Sequence, residues 1–290
     1  MRRLLSALFL LLCAAVCAHP ASAAEGAGSL RPYRPVINAY TLGLGTAHIC
    51  NTYLTPLHYD GWGAALRYER MQAMAFDPQR WVMQLDGTLD FGSTHNPARN
   101  ANMLNLELRL AWSMMRRHTD VLTPGLSLYW GGYLSAGAGG LLLARNGNNP
   151  AQAKADVTIG PAAMAVYGTK LGRLPVTLRY SVRMPLTGAF FSPDYGELYY
   201  EIYLGNHSGL VHAAWPGNYF RLDNLLTADL HLGNTCLRVG YACDIFSSKV
   251  SHIVANETTH RLVLGITTEC ISIGRSRGLD ADARIISAMY

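Results

Sequence analysis

Beyond residue 24 this chain of 290 residues has no run of 18 apolar residues, although hydrophobic residues make up 50% of the whole. That excludes helical membrane spans, which need about 20 consecutive apolar residues. Charge is also sparse, at 15% of the sequence. Six cysteines are present, and none forms a CxxC pair. Such spacing matches neither a zinc site nor a dense disulfide framework. The four beyond the first 24 residues, Cys50, Cys236, Cys243 and Cys270, are expected to pack mostly as single residues, with one disulfide left open. "GLGT" and "GAGG" are not followed by a helical pattern, so no phosphate loop is implied. His48, His58, His95 and His118 show no ligand spacing and read as loop and rim residues. No cofactor or metal is expected.

What is present begins with the first residues. Arg2 and Arg3 precede the apolar run Leu4–Val16, and Ala21-Ser22-Ala23 places small residues where a secretory leader is cut. Residues 1–24 are therefore expected to be a signal peptide. Val16 is bulkier than the residue that lipidation at Cys17 would need before it. Removing the leader leaves 22 basic against 19 acidic residues, too mild an excess to argue for nucleic acid as a partner.

The mature chain alternates with period two. In "NMLNLELRLAW" Leu104, Leu106, Leu108 and Leu110 form one face, while Asn105, Glu107 and Arg109 lie behind it. Trp81, Met83, Leu85, Leu89 and Phe91 repeat the pattern against Gln84, Asp86 and Asp90. "RLPVTLRYSVRMP" and "NYFRLDNLLTADLHLG" continue it. Period two is a strand signal. These dyads are longer than the 5–6 residues usual in soluble sandwiches and suit strands that cross lipid. Hydrocarbon offers an open sheet edge no partner, so such strands must close into a ring. The expected fold is all-β: a closed antiparallel transmembrane β-barrel of about 12 strands, with 10 as the runner-up.

Those strands are expected near 36–49, 61–74, 80–92, 102–116, 124–138, 156–169, 173–184, 195–204, 209–215, 218–232, 235–247 and 258–272. Residues 25–35 form a short N-terminal extension, 36–272 the barrel, and 273–290 a loosely ordered tail. Short turns ("DPQ", "LGR", "NHSG", "LGNT") fall at one end and long loops ("NTYLTPLHYDG", "STHNPARNA", "ARNGNNPAQAK", "PLTGAFFSPDYG", "SSKVSHIVANET") mostly at the other. That asymmetry is expected of outer-membrane barrels. Trp62, Trp112, Trp130 and Trp215, with Tyr195, Tyr199, Tyr200 and Tyr203, fit interfacial girdles.

The less apolar face of each segment supplies the candidate lumen groups: Arg67, Glu69, Asp86, Asp90, Glu107, Arg109, Arg179, Arg183, Glu201, Asp229, Arg238 and Glu269. Asp223, Asp244 and Arg261 share that parity. Mixed charge can pair across a small lumen, or ring a narrow pore. "GNHSGLVH" is where an enzyme could hide: His207 and Ser208 would need to sit in a turn to act as base and nucleophile. That turn is expected at the short-turn end, away from outer-leaflet lipid. No catalytic residue is assigned.

Several stretches together resemble one family: "YLTPLHYDGWGAALRYERMQAM", "NGNNPAQAKAD", "LPVTLRYSVRMPLTGAFFSPDYGELYYEIYLGN" and "NLLTADLHLG" with "LRVGY". The similarity spans roughly residues 36–272 and is to domain-of-unknown-function family 3316 of Bacteroidetes, secreted proteins that look like outer-membrane barrels. The resemblance implies the barrel and carries no activity, cofactor or catalytic residue. The expected function is a non-enzymatic outer-membrane barrel, either a small passive pore or a structural or adaptor component of an envelope assembly. Its partners would be outer-membrane lipid and other envelope proteins. The alternatives are a lipid-modifying enzyme using His207 and Ser208, and a soluble periplasmic β-sandwich.

Overall fold

A computed structural model describes residues 32–194, 196–205, 209–233, 235–271 and 284–290. The expected leader and most of the N-terminal extension lie outside these residues, as do His207 and Ser208. The alternating segments become β1 (Val36–Asn51), β2 (Thr55–Ala73), β3 (Trp81–His95), β4 (Asn102–His118), β5 (Leu126–Leu142), β6 (Ala151–Leu171), β7 (Leu174–Arg183), β8 (Thr187–Phe191), β9 (Val211–Ala214), β10 (Tyr219–Leu232), β11 (Thr235–Val250) and β12 (Ile253–Cys270). Each of β1 to β6 pairs with the next, then β6 with β7, β7 with β10, β10 with β11 and β11 with β12. The ring closes where β12 meets β1, from Val36 opposite Cys270 to Asn51 opposite Ala255.

The wall has ten strands rather than twelve. β8 lies on the edge of β6 that β7 also uses, opposite residues 156–159, where β7 is opposite 162–171. The Met184 and Leu186 amides donate to the Pro161 and Ile159 carbonyls between them. β7 and β8 are thus one wall strand, irregular at Pro185, which has no amide to donate. β9 pairs with β8 and runs into β10 through the turn 215–218, where the Tyr219 amide donates to the Trp215 carbonyl. The expected strand 195–204 is a correction: Tyr199–Tyr203 form a short helix, α1, in the connection between β8 and β9. The run of tyrosines there reads as strand by propensity, yet Tyr199–Tyr203 take no place in the sheet.

Many expected loop residues also belong to strands. β1 reaches Asn51 and β2 begins at Thr55, while β11 ends at Val250 and β12 begins at Ile253. "NTYLTPLHYDG" and "SSKVSHIVANET" therefore shrink to turns of a few residues. A 17-residue strand such as β4 is roughly 55 Å long at about 3.3 Å per residue. Tilted about 40°, it outreaches the hydrocarbon core of about 30 Å, so the strands keep pairing where the side chains turn polar. At the opposite end β6 and β7 meet in a tight turn, where Gly172 has φ +63°, a left-handed backbone suited to glycine.

Parity sorts the side chains. Tyr40, Leu42, Leu44, Leu66, Leu89, Leu106, Leu108, Leu134, Leu262 and Leu264 point outward and are exposed. Trp62, Trp112, Trp130 and Trp215 are exposed as well. Inside, Ile37, Met71, Val82, Met115, Tyr129, Tyr133, Met164 and Val166 form an apolar cluster at the end where β1 starts. A second cluster, with Ile49, Tyr53, Tyr59, Met103 and Leu141, fills the other end. The charged residues lie between.

Residues 284–290 depart from the loose tail expected for 273–290. Ala288 and Met289 are buried in the first apolar cluster. The Tyr33 amide donates to the Arg284 carbonyl (2.8 Å), and the Ile286 amide to the Tyr33 carbonyl (2.9 Å). The short segment RIISAMY carries no period that marks this docking, because the groups that hold it sit on distant strands.

Candidate functional site: the charged lumen

Register by itself sets like charges side by side. Glu69 of β2 is opposite Asp86 of β3, Asp90 is opposite Glu107 of β4, and Asp223 of β10 is opposite Asp244 of β11. Like charges directly opposite on one face are destabilising, so each pair needs cations from elsewhere in the wall. The ring supplies them across the lumen.

In the layer nearer the start of β1, Glu69 receives the Arg179 guanidinium through two contacts, one of them Nη2 to Oε2 at 2.8 Å. Arg238 Nη1 donates to its Oε1 at 3.2 Å, and Gln84 Nε2 to its Oε2 at 3.1 Å. Asp86 accepts from Arg67 Nε at 2.8 Å and from Arg183 Nη1 at 2.9 Å. Asp229 holds Arg238 in a bidentate pair, at 2.6 and 2.7 Å. Arg179, Arg238 and Asp229 are at most 1% exposed. Ions buried this deeply are costly unless paired; each of these three is paired, with Arg179 Nε left without a hydrogen-bond partner among the described residues.

The second layer gathers around Glu107. Arg109 contacts it from the same strand, Lys154 Nζ lies 2.6 Å from Oε2, and Arg221 Nη2 donates to Oε1 at 3.1 Å. Arg109 also forks onto Asp156, with both contacts at 3.0 Å. Lys154 reaches Glu257 at 2.8 Å. Arg261 bridges Asp90 (2.6 Å) and Asp244 (3.1 Å). Gly137 makes the Arg109–Asp156 fork possible. It sits between them in register, and a Cβ there would lie 2.7 Å from Asp156 Oδ1 and 2.8 Å from Arg109 Nη2.

Little space remains. A cavity of about 50 Å³ lies among Arg67, Asp90, Arg183, Arg221, Asp223 and Asp244. Another of about 30 Å³ lies near Lys154, Asp156 and Phe246. At roughly 10–15 Å³ for one water, each has room for a few waters and for no larger solute. Arg221 also stacks its guanidinium 4.8 Å from the centre of the Phe246 ring. Chemically the arrangement is a filler. Glu69, Asp86, Asp90, Glu107, Asp156, Asp229, Asp244 and Glu257 are each held by arginine or lysine, and no group of three or more His, Cys, Asp or Glu among the described residues is set to hold a metal ion.

Of the lumen candidates, Arg67, Glu69, Asp86, Asp90, Glu107, Arg109, Arg179, Arg183, Asp229 and Arg238 all meet in this network. Glu201 does not. It sits on α1, outside the wall, and accepts the Leu198 amide at 3.3 Å. Glu269 has lumen parity but is exposed at the end of β12, opposite Ile37, and stays out of the network. Lys154 and Asp156 were missed because the outward face of β6 there is Ala151, Ala153 and Ala155, too small to mark a dyad. Glu257 lay just before the expected start of its strand. The cysteines Cys50, Cys236, Cys243 and Cys270 are all free. Of "NHSG", Asn206, His207 and Ser208 lie outside the described residues.

Residues 5–277 match the family described as "Protein of unknown function (DUF3316)". The chain belongs to that family. No curated protein matches this DUF3316 member. Among solved structures it is similar to the outer membrane protease OmpT from Escherichia coli, with 8% identity, a TM-score of 0.47, and 85% of this chain and 99% of that one covered. The translocator domain of the autotransporter NalP from Neisseria meningitidis gives 10% identity and a TM-score of 0.38 over 92% and 95%. An outer membrane channel from Pseudomonas putida F1 gives 10% and 0.33 over 85% and 100%. At these values the likeness bears on neither activity nor mechanism.

Proposed function

We propose that this protein is an outer-membrane β-barrel closed to solutes, with a structural or adaptor role in the cell envelope and no enzymatic activity. The observation that carries this reading is the filled lumen: two ion-paired layers between two apolar clusters, with cavities of about 50 and 30 Å³. The outward leucine face, with tryptophans exposed among it, supports a lipid surround, because an apolar exterior band flanked by aromatics is what a bilayer selects. Outer-membrane lipid is then one partner and another envelope protein the second.

A passive pore fits the same exterior but not this interior. Planar-bilayer recording separates the two readings. Purified protein inserted at high salt is expected to give no discrete current steps, while it floats with vesicles and needs detergent for extraction. Steady single-channel openings would sink the closed-barrel reading, and recovery in the soluble fraction would sink the membrane one.

A further inference from the structure

The wall is complete without the C-terminal segment. All ten strands are paired around the ring, and residues 284–290 add one isolated parallel bridge, Tyr33 to Ile285. Yet the wall meets this segment as it would meet a peptide ligand. Arg117 Nη1 donates to the Ser287 carbonyl at 2.7 Å, and the Tyr129 hydroxyl to the Ala288 carbonyl at 3.1 Å. Ala288, fully buried, and Met289, 7% exposed, enter an apolar pocket that includes Ile37, Met71 and Met115. The Tyr290 hydroxyl donates to Asp229 Oδ2 at 2.7 Å, and its ring meets His231 edge-on with centroids 4.9 Å apart. Burial and the Asp229 carboxylate hold the Tyr290 phenol above its ordinary range, so it stays a donor. Backbone hydrogen bonds, an apolar pocket and an anchored polar side chain are elements of extended-peptide recognition.

Beneath Tyr290 lies a thiol. Cys236 is 8% exposed, its Sγ is 3.1 Å from His231 Nδ1, and His231 Nε2 is 2.8 Å from the Thr177 hydroxyl. Met289, Tyr290, Thr177 and His231 line a cavity of about 440 Å³ that Cys236 does not line.

We infer that the barrel mouth at the end where β1 starts is a binding site for an extended peptide segment that carries a phenol. Its occupant is the chain's own residues 284–290, seated as a removable lid over Cys236. This holds whether or not the lumen conducts.

The test uses the processed chain with Cys50, Cys243 and Cys270 changed to Ser, so that Cys236 alone reports through a charged, water-soluble methanethiosulfonate. The full-length chain is expected to react slowly. A chain ending at residue 283 should remain a heat-modifiable barrel and react at least tenfold faster. Adding the synthetic heptapeptide of residues 284–290 should restore protection. The same peptide with Phe for Tyr290 should need roughly tenfold more to do so, having lost a hydrogen bond to a charged acceptor. Unchanged Cys236 reactivity on truncation, or acceleration that the peptide does not reverse, overturns the proposal. So does loss of the barrel on truncation, since the wall would then need the segment in order to close.

Discussion

Leu108 is 44% exposed on β4, flanked in register by Leu89 and Ala138. Its neighbours in sequence, Glu107 and Arg109, are 4% and 7% exposed in the lumen. One residue of offset therefore separates lipid from an ion pair. The same outward column continues to Arg116 near the strand end, beside Trp81 and Trp130, which is where an arginine can reach headgroups. Leu108→Arg should thus cost about 2–4 kcal/mol, and Met114→Arg, closer to that rim, markedly less. Urea titration of the refolded protein in lipid vesicles measures both. Equal costs at the two depths would contradict a bilayer around this face.

At the scale of elements, the strands are coupled through the lumen as much as through their ladders. β2 meets β7 only across the interior, through Glu69 and Arg179, and β4 meets β6 through Arg109 and Asp156 over the bare backbone of Gly137. Gly137→Ala should force these charged groups apart and cost about 1–3 kcal/mol, as overpacking does. Gly147→Ala, with nothing within 4 Å of the added carbon, should change stability by about 0.5 kcal/mol or less. Unfolding midpoints of the two variants decide it: an unaffected G137A would mean that the fork has slack. The strand faces at these positions were legible from alternation in "NMLNLELRLAW". The fork was not, because Asp156 lies 47 residues from Arg109 on a strand whose outward alanines blur its period.

For the whole molecule, blockage is arranged in series: the apolar cluster with the docked tail, two charged layers, and the second apolar cluster. Removing one plug should not open a path. The chain ending at residue 283 is accordingly expected to stay electrically silent in planar bilayers even as Cys236 becomes reactive. Current steps in that variant would mean that the tail, not the ion-paired layers, is the seal.

Sequence alone determined the strand class, the need for closure and the face on which eleven of the twelve lumen candidates lie, ten of them in the network, because period two is a property of a single strand. It misassigned Glu201 by reading a tyrosine-rich connection as strand, and it left Glu269 in a lumen that its end position does not reach. Tertiary structure decided the number of walls, the partner of each charge and the docking of Tyr290. Those depend on which strands become neighbours when the ring closes: Glu69 finds Arg179 from 110 residues away, and no local pattern carries that distance.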